Sequence, residues 1–156
     1  MNNDFLSKHG VLVNLLNKGV LIIGRSGVGK SECAIELLNK GAYLVADDVV
    51  LIKEANKKLI GYPPETIKDL IEIRGIGIIN VKEIFGEEAM INSSKIDLMI
   101  ELVDFKDSHN YERLGYDTSY TEILDIKIPH MKIPVSPGRN LSTLIEIAVK
   151  KTILES

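Results

Sequence analysis

The sequence predicts one α/β domain built around a mixed β-sheet, with more strand than helix. Its 156 residues are 45% hydrophobic and 26% charged, the composition of an ordinary globular domain large enough to bury a core. Several apolar segments have the length of a strand and are bounded by Gly, Asn or Pro, whereas few segments repeat their apolar residues with helical spacing. We therefore expect many strand hairpins rather than a regular alternation of strands and helices.

The first third of the chain contains two predicted hairpins and a helix. Residues 10–16 and 19–24 predict two strands joined by the turn "NKG". Residues 31–40 predict a helix, because their apolar positions form one face and a glycine follows. The segment "AYLVADD" predicts a strand that ends in two acids, and residues 49–64 predict a hairpin with a polar tip and a proline stop.

The rest of the chain predicts further strands and a last helix. Residues 96–105 predict an interior strand, and the polar segment of residues 111–125 is expected to be irregular. Residues 126–135 alternate well enough for strands, which we expect at a sheet edge because their two prolines cannot donate to a ladder. Asn140 is the predicted cap of the last helix.

Composition excludes several function classes. The net charge of −3 is spread without long runs of one sign, which argues against a dedicated nucleic-acid surface. No apolar run approaches the roughly 18–20 residues of a membrane span, and the amino terminus lacks the pattern of a secretory signal. The single cysteine, Cys33, rules out an intrachain disulfide and is expected in the core. We therefore expect a cytoplasmic protein without nucleic-acid or membrane partners, and we expect His109 and His130 to be structural or solvated.

The segment "GRSGVGKS" fits the phosphate-binding pattern G-x-x-x-x-G-K-[ST], with an apolar strand before it and a helical pattern after it. Backbone N–H groups of such a turn wrap a diphosphate, Lys30 would reach the β- and γ-phosphates, and Ser31 would ligate Mg²⁺. The alternative is a glycine-rich turn that contains a lysine by chance. The predicted nucleotide-binding residues are Gly24, Arg25, Ser26, Gly27, Val28, Gly29, Lys30 and Ser31.

Two acids, Asp47 and Asp48, follow the apolar strand "YLVA", which is the usual place for the acid that holds the metal of a bound nucleotide. One is predicted to hold Mg²⁺ through water, and the other to accept a proton from an attacking hydroxyl. The alternative is a solvated turn after a strand. The chain has no NKxD segment and no LSGGQ-like signature, which disfavours guanine-specific GTPases and transporter ATPases.

The stretch "IEIRGIGIINVKEIFG", residues 71–86, looks buried by composition, yet it carries Glu72 and Arg74. Gly75 and Gly77 allow the backbone to turn tightly and approach a ligand. In one interpretation, Glu72 reaches a metal and Arg74 stabilises charge on a transferring phosphoryl group. In the other, the two side chains form an ion pair that covers the end of a strand. These residues alone favour neither interpretation.

Six segments, in order along the chain, resemble the catalytic domain of bacterial HPr kinase/phosphorylase: "HGVLV", "GRSGVGKS", "LVADD", "IEIRGIGIINVKEIFG", "YERLG" and "IPVSPGRN". The resemblance runs from about residue 9 to residue 148. Its most distinctive part is the signature segment "EIRGIGIINV", which contains Glu72, Ile73, Arg74, Gly75 and Gly77.

The resemblance implies an activity, a fold and an assembly. The family phosphorylates a serine of the phosphocarrier protein HPr, with ATP or pyrophosphate as donor, and so regulates carbon metabolism. It also removes that phosphate by phosphorolysis, with inorganic phosphate as acceptor and pyrophosphate as product. The implied metal is Mg²⁺, with Mn²⁺ as a substitute. The implied fold is similar to the nucleotide-binding core of PEP carboxykinase, and full-length members are hexamers.

Residue roles also follow from the resemblance. The residues that match catalytic positions are His9, Lys30, Asp47, Asp48 and Arg113. Asp48 matches the group that takes the serine proton in phosphorylation and returns it in phosphorolysis, and Asp47 is the adjacent acid. Ser31 and Glu72 match the Mg²⁺ ligands. The loop that dephosphorylation needs is matched by Pro134, Val135, Ser136, Pro137, Gly138 and Arg139.

Two departures from the family pattern affect the expected chemistry. Arg25 stands where the family usually has an acid, which changes the charge beside the phosphates by two units. It would either tighten anion binding or disturb the site of the second substrate. Ser136 stands where Arg or Lys is common, so one anion contact is expected to be missing from the dephosphorylation loop. The combined expectation is kinase activity with impaired phosphorolysis.

The expected organisation is a single catalytic domain over residues 1–156, without the family's N-terminal domain and C-terminal helical extension. Two alternatives to the HPr kinase stay open. The first is a nucleotide-binding regulatory module of the same fold without efficient phosphoryl transfer, which Arg25 and Ser136 would favour. The second is a kinase of a different phosphocarrier or of a metabolite.

Overall fold

The computed structural model describes residues 5–104 and 119–155. Over these residues the chain forms twelve strands and three α-helices. The strands are β1 (Phe5–His9), β2 (Val11–Leu15), β3 (Lys18–Gly24), β4 (Tyr43–Ala46), β5 (Val49–Ala55), β6 (Lys58–Tyr62), β7 (Leu70–Ile73), β8 (Gly77–Asn80), β9 (Ser94–Lys95), β10 (Leu98–Asp104), β11 (Ser119–Ile123) and β12 (Ile126–Val135). The helices are α1 (Lys30–Leu38), α2 (Val81–Phe85) and α3 (Leu141–Glu155), with 3-10 turns at Glu65–Ile67 and Glu87–Ala89.

A six-stranded sheet of mixed orientation forms the centre of the fold, in the order β11-β12-β10-β3-β2-β4. β3, β10 and β12 run parallel, and β2 is antiparallel to both β3 and β4. Neighbouring residues of β2 and β3 are buried on both faces of the sheet, which explains their almost continuous apolar sequences. The mixed α/β class, the first hairpin and the interior position of β10 are therefore confirmed.

Hydrophobic clusters lie on both faces of this sheet. One face, which includes Val13 and Ile22, packs against α1 and α3. The other face, which includes Leu12 and Leu21, packs against an antiparallel four-stranded sheet in the order β1-β5-β6-β9. The fold therefore has three layers, with the central sheet in the middle. Cys33 is buried in the first cluster, as predicted.

The predicted edge position of residues 126–135 was wrong, because they form β12, which lies between β10 and β11. The prolines are accommodated because the two halves of β12 use different neighbours. Pro129 pairs with Tyr120 of β11, and pairing with β10 begins only at His130. Pro134 pairs with Val103 of β10, and in the described register β11 pairs no further than His130. Each proline thus lies at a position where β12 pairs with only one neighbouring strand in the described register.

Two other expectations need correction. The segment predicted to be irregular contains β11, which pairs with the first half of β12. Residues 71–86 were expected to be buried, but they form the β7–β8 hairpin and α2, and only part of them reaches the core. Ile71 and Val81 are buried, whereas Ile76 and Ile78 are among the most exposed apolar residues. Side chains alternate between the faces of a strand, so the hairpin buries one face and exposes the other.

The last helix begins as predicted. The Asn140 side chain accepts hydrogen bonds from the Thr143 backbone N–H and from the Ser142 hydroxyl, which satisfies one free donor of the first turn. In the described parts of the chain, no helix combines the length and the apolar character that a membrane span requires.

Candidate active site

Strand direction places three functional segments at one edge of the central sheet. β3 ends at Gly24, where the phosphate-binding turn begins, and β4 runs in the same direction and ends just before Asp47. β2 runs the opposite way, so its first residues, which follow His9, lie at this same edge. The carboxyl ends of parallel strands are the usual place for a ligand crevice in α/β folds.

A cavity of about 370 Å³ lies at this edge. Ten residues that the sequence had singled out line it: His9, Ser26, Gly27, Gly29, Lys30, Ser31, Asp47, Asp48, Glu72 and Arg74. Its other lining residues are Val11, Glu32, Ile67, Leu70, Ile71 and Ile78. The cavity is therefore lined by both polar and apolar side chains.

The phosphate-binding turn leads from β3 directly into α1. Gly29 has a φ of 112°, a left-handed value that favours glycine, and it stands immediately before the first helical residue. Lys30 is buried, and its ammonium donates to the backbone carbonyls of Gly24 and Arg25, both at 2.9 Å. Burial lowers the pKa of Lys30, and the neighbouring Asp47 carboxylate opposes that shift. The turn thus folds around its own lysine.

Asp47 is the buried acid of the pair, with 7% of its surface exposed. Its Oδ1 accepts a hydrogen bond of 2.7 Å from the Ser31 hydroxyl, and its Oδ2 accepts one of 3.3 Å from the Glu72 backbone N–H. Burial raises the pKa of Asp47, and these two hydrogen bonds partly offset the rise. One carboxylate therefore connects the start of α1 to the signature segment.

Asp48 differs from its neighbour, because its side chain is 66% exposed. Its φ of 72° lies in the left-handed region, where Asp is tolerated better than most residues. His9 Nε2 and Asp48 Oδ1 lie 3.0 Å apart, and the Gly10 backbone N–H donates to the Asp48 carbonyl at 3.1 Å. Asp48 is thus available at the cavity and oriented by a histidine.

The β7–β8 hairpin forms the opposite wall of the cavity. Glu72 pairs with Ile78 across the hairpin, and both side chains lie on the face that lines the cavity. Arg74 reaches the phosphate-binding turn, since a Cβ placed on Gly27 would lie 2.6 Å from an Arg74 guanidinium nitrogen. The signature segment therefore lies against the phosphate-binding turn, as the first of its two interpretations requires.

Other predicted site residues lie elsewhere. Residues 134–139 comprise the end of β12 and the turn after it, at the same sheet edge, but they are not among the described residues that line the cavity. In that turn the Arg139 N–H donates to the Ser136 carbonyl. Gly24, Arg25, Val28, Ile73, Gly75 and Gly77 adjoin the cavity in sequence without lining it. Arg113 and His109 lie outside the described residues.

The Arg25 guanidinium is directed at Asp104, the last residue of β10. Its Nε donates to Asp104 Oδ2 and its Nη2 donates to Oδ1, both at 2.8 Å. Sequence reasoning missed Asp104, because it fell within the strand predicted over residues 96–105, whereas Asp47 follows its strand. It also missed the apolar lining residues Ile67, Leu70 and Ile78, because no sequence signal distinguishes them from core residues.

Three oxygen-bearing side chains of the cavity fit a magnesium ion. Ser31, Asp47 and Glu72 supply oxygen atoms, the ligand type that Mg²⁺ prefers, and a cation there would offset the burial of the Asp47 carboxylate. No group of three or more His, Cys, Asp or Glu side chains able to enclose a metal occurs among residues 5–104 and 119–155. This is compatible with Mg²⁺, which usually takes one or two carboxylates and fills its remaining positions with water and substrate phosphates.

Comparison with known families identifies the family of this chain. The family model described as HPr Serine kinase C-terminal domain matches residues 3–156, which is nearly the whole chain. The chain belongs to this family. The expected resemblance is therefore confirmed, and it extends beyond the six segments that suggested it.

Individual relatives agree with this family. HPr kinase/phosphorylase of Geobacter sulfurreducens is 49% identical over 148 residues, which are 94% of this chain and 46% of that protein. The protein of the same name from Caldicellulosiruptor bescii is 52% identical over 144 residues, 92% of this chain and 46% of the relative. The chain thus spans about half the length of the curated relatives it matches.

A solved structure has the same architecture as this chain. The structure of the Hpr(Ser) kinase/phosphatase from Coxiella burnetii superimposes with a TM-score of 0.89 at 36% identity. The match covers 96% of this chain and 92% of the Coxiella chain.

Proposed function

We propose that this domain transfers the γ-phosphoryl group of ATP to a serine hydroxyl of the phosphocarrier protein HPr. One observation carries the proposal: a single cavity brings the lysine and serine of the phosphate-binding turn together with two acids, a histidine and the signature glutamate. The names of the relatives support HPr as the acceptor and do not favour a regulatory module or a metabolite kinase.

In the proposed reaction, the phosphate-binding turn holds the nucleotide. Backbone N–H groups of residues 24–31 and the N-terminus of α1 receive the phosphates, and Lys30 exchanges its two carbonyl partners for phosphate oxygens. Ser31 and Glu72, with Asp47 beside them, would hold Mg²⁺, which neutralises charge on the β- and γ-phosphates when bound.

Asp48 acts as the general base. Its carboxylate takes the proton of the serine hydroxyl, while the serine oxygen forms a bond to the γ-phosphorus and the bond to the leaving oxygen of ADP breaks. His9 orients the carboxylate through the contact of 3.0 Å between Nε2 and Oδ1. Arg74 of the signature segment, which lies against Gly27, supplies positive charge beside the phosphate-binding turn.

Several narrower assignments belong to the same proposal. The domain also catalyses phosphorolysis of phosphoserine-HPr, weakened by Ser136 in the loop of residues 134–139 and with Arg113 as a further active-site cation. Pyrophosphate serves as an alternative donor and Mn²⁺ as an alternative metal. The fold is similar to the nucleotide-binding core of PEP carboxykinase, the domain is a single unit, and it assembles into homo-oligomers in the cytoplasm.

The test is transfer of label from γ-labelled ATP to purified HPr, with phosphoserine identified in the product. Lys30→Ala and Asp48→Asn are expected to lower the rate about 100-fold or more, because each removes a group that acts on the transferring phosphoryl or its proton. Lys150→Ala, on α3, is the control and should retain the rate. Binding of ATP without transfer to HPr, or transfer to a metabolite alone, would contradict the proposal.

A further inference from the structure

The pair formed by Arg25 and Asp104 connects two neighbouring parallel strands just beyond their last ladder contact. β3 and β10 stay in register up to the pairing of Gly24 with Leu102. Arg25 is the next residue of the phosphate-binding turn, and Asp104 ends β10. Both hydrogen bonds of the pair measure 2.8 Å, and two parallel bonds between a guanidinium and a carboxylate fix orientation as well as distance.

The backbone of Arg25 links this pair to the phosphate-binding lysine. The Arg25 carbonyl accepts from the Lys30 ammonium at 2.9 Å and from the Val28 N–H at 3.2 Å. A further guanidinium N–H donates to the Ser26 carbonyl at 3.2 Å. Asp104 therefore holds the side chain of Arg25, and the backbone carbonyl of the same residue accepts the hydrogen bonds that close the phosphate-binding turn.

The same contact directs the charge of Arg25 away from the phosphates. Arg25 does not line the cavity, whereas Ser26, Gly27 and Lys30 do. Arg25 is also one of the charges that lower the pKa of Lys30, after the larger effect of burial. A guanidinium that moved freely beside the turn would change both the shape of the turn and the potential at the lysine.

We propose that Asp104 and Arg25 form a positioning pair, here called the strand clasp, which holds the phosphate-binding turn in the shape that receives the nucleotide. The clasp acts through the Arg25 backbone on Lys30 and does not touch the reacting atoms. It deepens the proposed function, since it concerns the nucleotide affinity of that same site.

The clasp is tested by the binding of MgATP, measured by calorimetry without HPr. Asp104→Asn, Arg25→Gln and the double variant are each expected to raise the dissociation constant by about two- to fivefold, the range typical of a partly exposed ion pair. The double variant should bind no more weakly than the weaker-binding of the two single variants, because both substitutions break the same contact. The variant that combines Arg25→Asp with Asp104→Arg should bind MgATP more tightly than Arg25→Asp alone or Asp104→Arg alone, because it restores an ion pair.

A matched control exists on α3. The pair of Lys150 and Glu146 is 59% and 28% exposed at its side chains, against 59% and 27% for Arg25 and Asp104. Lys150→Gln breaks this pair and leaves the contact of Glu146 with Lys40 in place. It should cause a change in melting temperature similar to that of Asp104→Asn and leave the affinity for MgATP unchanged.

Three results would overturn the clasp. They are an unchanged dissociation constant in Asp104→Asn, additive effects in the double variant, and tighter binding in Asp104→Asn, which would indicate that Asp104 withholds Arg25 from the phosphates. If the unmodified chain binds MgATP but does not phosphorylate HPr, the proposed function is rejected. The strand clasp would not be affected by that result, because it is tested by MgATP binding alone.

Discussion

The two walls of the cavity are held in place by different means. The phosphate wall, residues 24–31 with Asp47, follows β3 and β4 of the central sheet and leads into α1. Its Lys30 and Asp47 are buried and hydrogen-bonded. The hairpin wall, residues 70–80, belongs to a separate two-stranded sheet, and Ile76 and Ile78 on it are exposed.

The difference indicates which wall is preorganised for ligand binding. Groups of the phosphate wall already have protein partners, so little reorganisation is needed when phosphates replace them. Two polar contacts hold the hairpin wall, the Glu72 N–H on Asp47 and Arg74 against Gly27. Its apolar residues that lie in the core or pack against it are the buried Ile71 and the partly buried Ile73 and Ile79. Within the described residues, it has no pairing with the strands of the central sheet. We therefore expect the hairpin wall to open at a lower free energy than the phosphate wall.

The largest expected effect concerns the anchor of the hairpin wall. Ile71 is 0% exposed and Ile78, on the opposite face, is 69% exposed. Ile71→Ala should lower the free energy of unfolding by about 2–5 kcal/mol through lost burial and the cavity left behind. Ile78→Ala, the matched control, should change it by less than about 0.5 kcal/mol. Urea unfolding followed by circular dichroism measures both, and equal effects would show that the hairpin is not anchored at Ile71.

The contact between the two walls gives the second prediction. Gly27→Ala and Gly75→Ala place a Cβ at similar left-handed φ values, 84° and 89°, and should each cost roughly 1–2 kcal/mol of stability. Only at Gly27 does the new Cβ meet Arg74, whereas nothing lies within 4 Å at Gly75. Gly27→Ala should therefore also lower the rate of phosphoryl transfer. If both variants transfer phosphate equally well, Arg74 has no part in the reaction.

The smallest effect concerns Asp47. Because burial raises its pKa, the folded chain binds this proton more tightly than the unfolded chain, and stability is lost as the pH rises through the folded pKa. Asp47→Asn keeps an acceptor for the Glu72 N–H and a donor for Ser31, so it should raise the free energy of unfolding near neutral pH without Mg²⁺. This gain in the free energy of unfolding should shrink as the pH falls towards 3.8, the ordinary pKa of the carboxyl.

The control for Asp47 is its neighbour. Asp48→Asn, at an exposed position whose left-handed backbone also suits Asn, should change the stability little at either pH. Denaturant titrations at several pH values separate the two variants. A gain of stability in Asp48→Asn as large as that in Asp47→Asn would mean that burial is not the cause.

Much of the site was predictable because it follows a contiguous motif. The phosphate-binding turn and the acids after β4 stand next to apolar strands, and strands that run in one direction bring their following residues to one edge. The exposed face of the signature hairpin was not predictable from composition, because isoleucines that line a cavity and isoleucines in a core look alike in sequence. The edge assignment of β12 was wrong for a related reason, since a proline shows that one donor is absent but not which side of the strand lacks a partner.

The sequence by itself determined the mixed α/β class, the phosphate-binding turn and the family, since each depends on residues adjacent in the chain or on a matching order of segments. Only the tertiary structure decided that Asp47 is buried while Asp48 is exposed, and that Arg25 faces Asp104 rather than the cavity. The physical reason is that burial and pairing depend on elements far apart in the chain, here β10 beside β3 and β7 beside α1, whose approach no local pattern records.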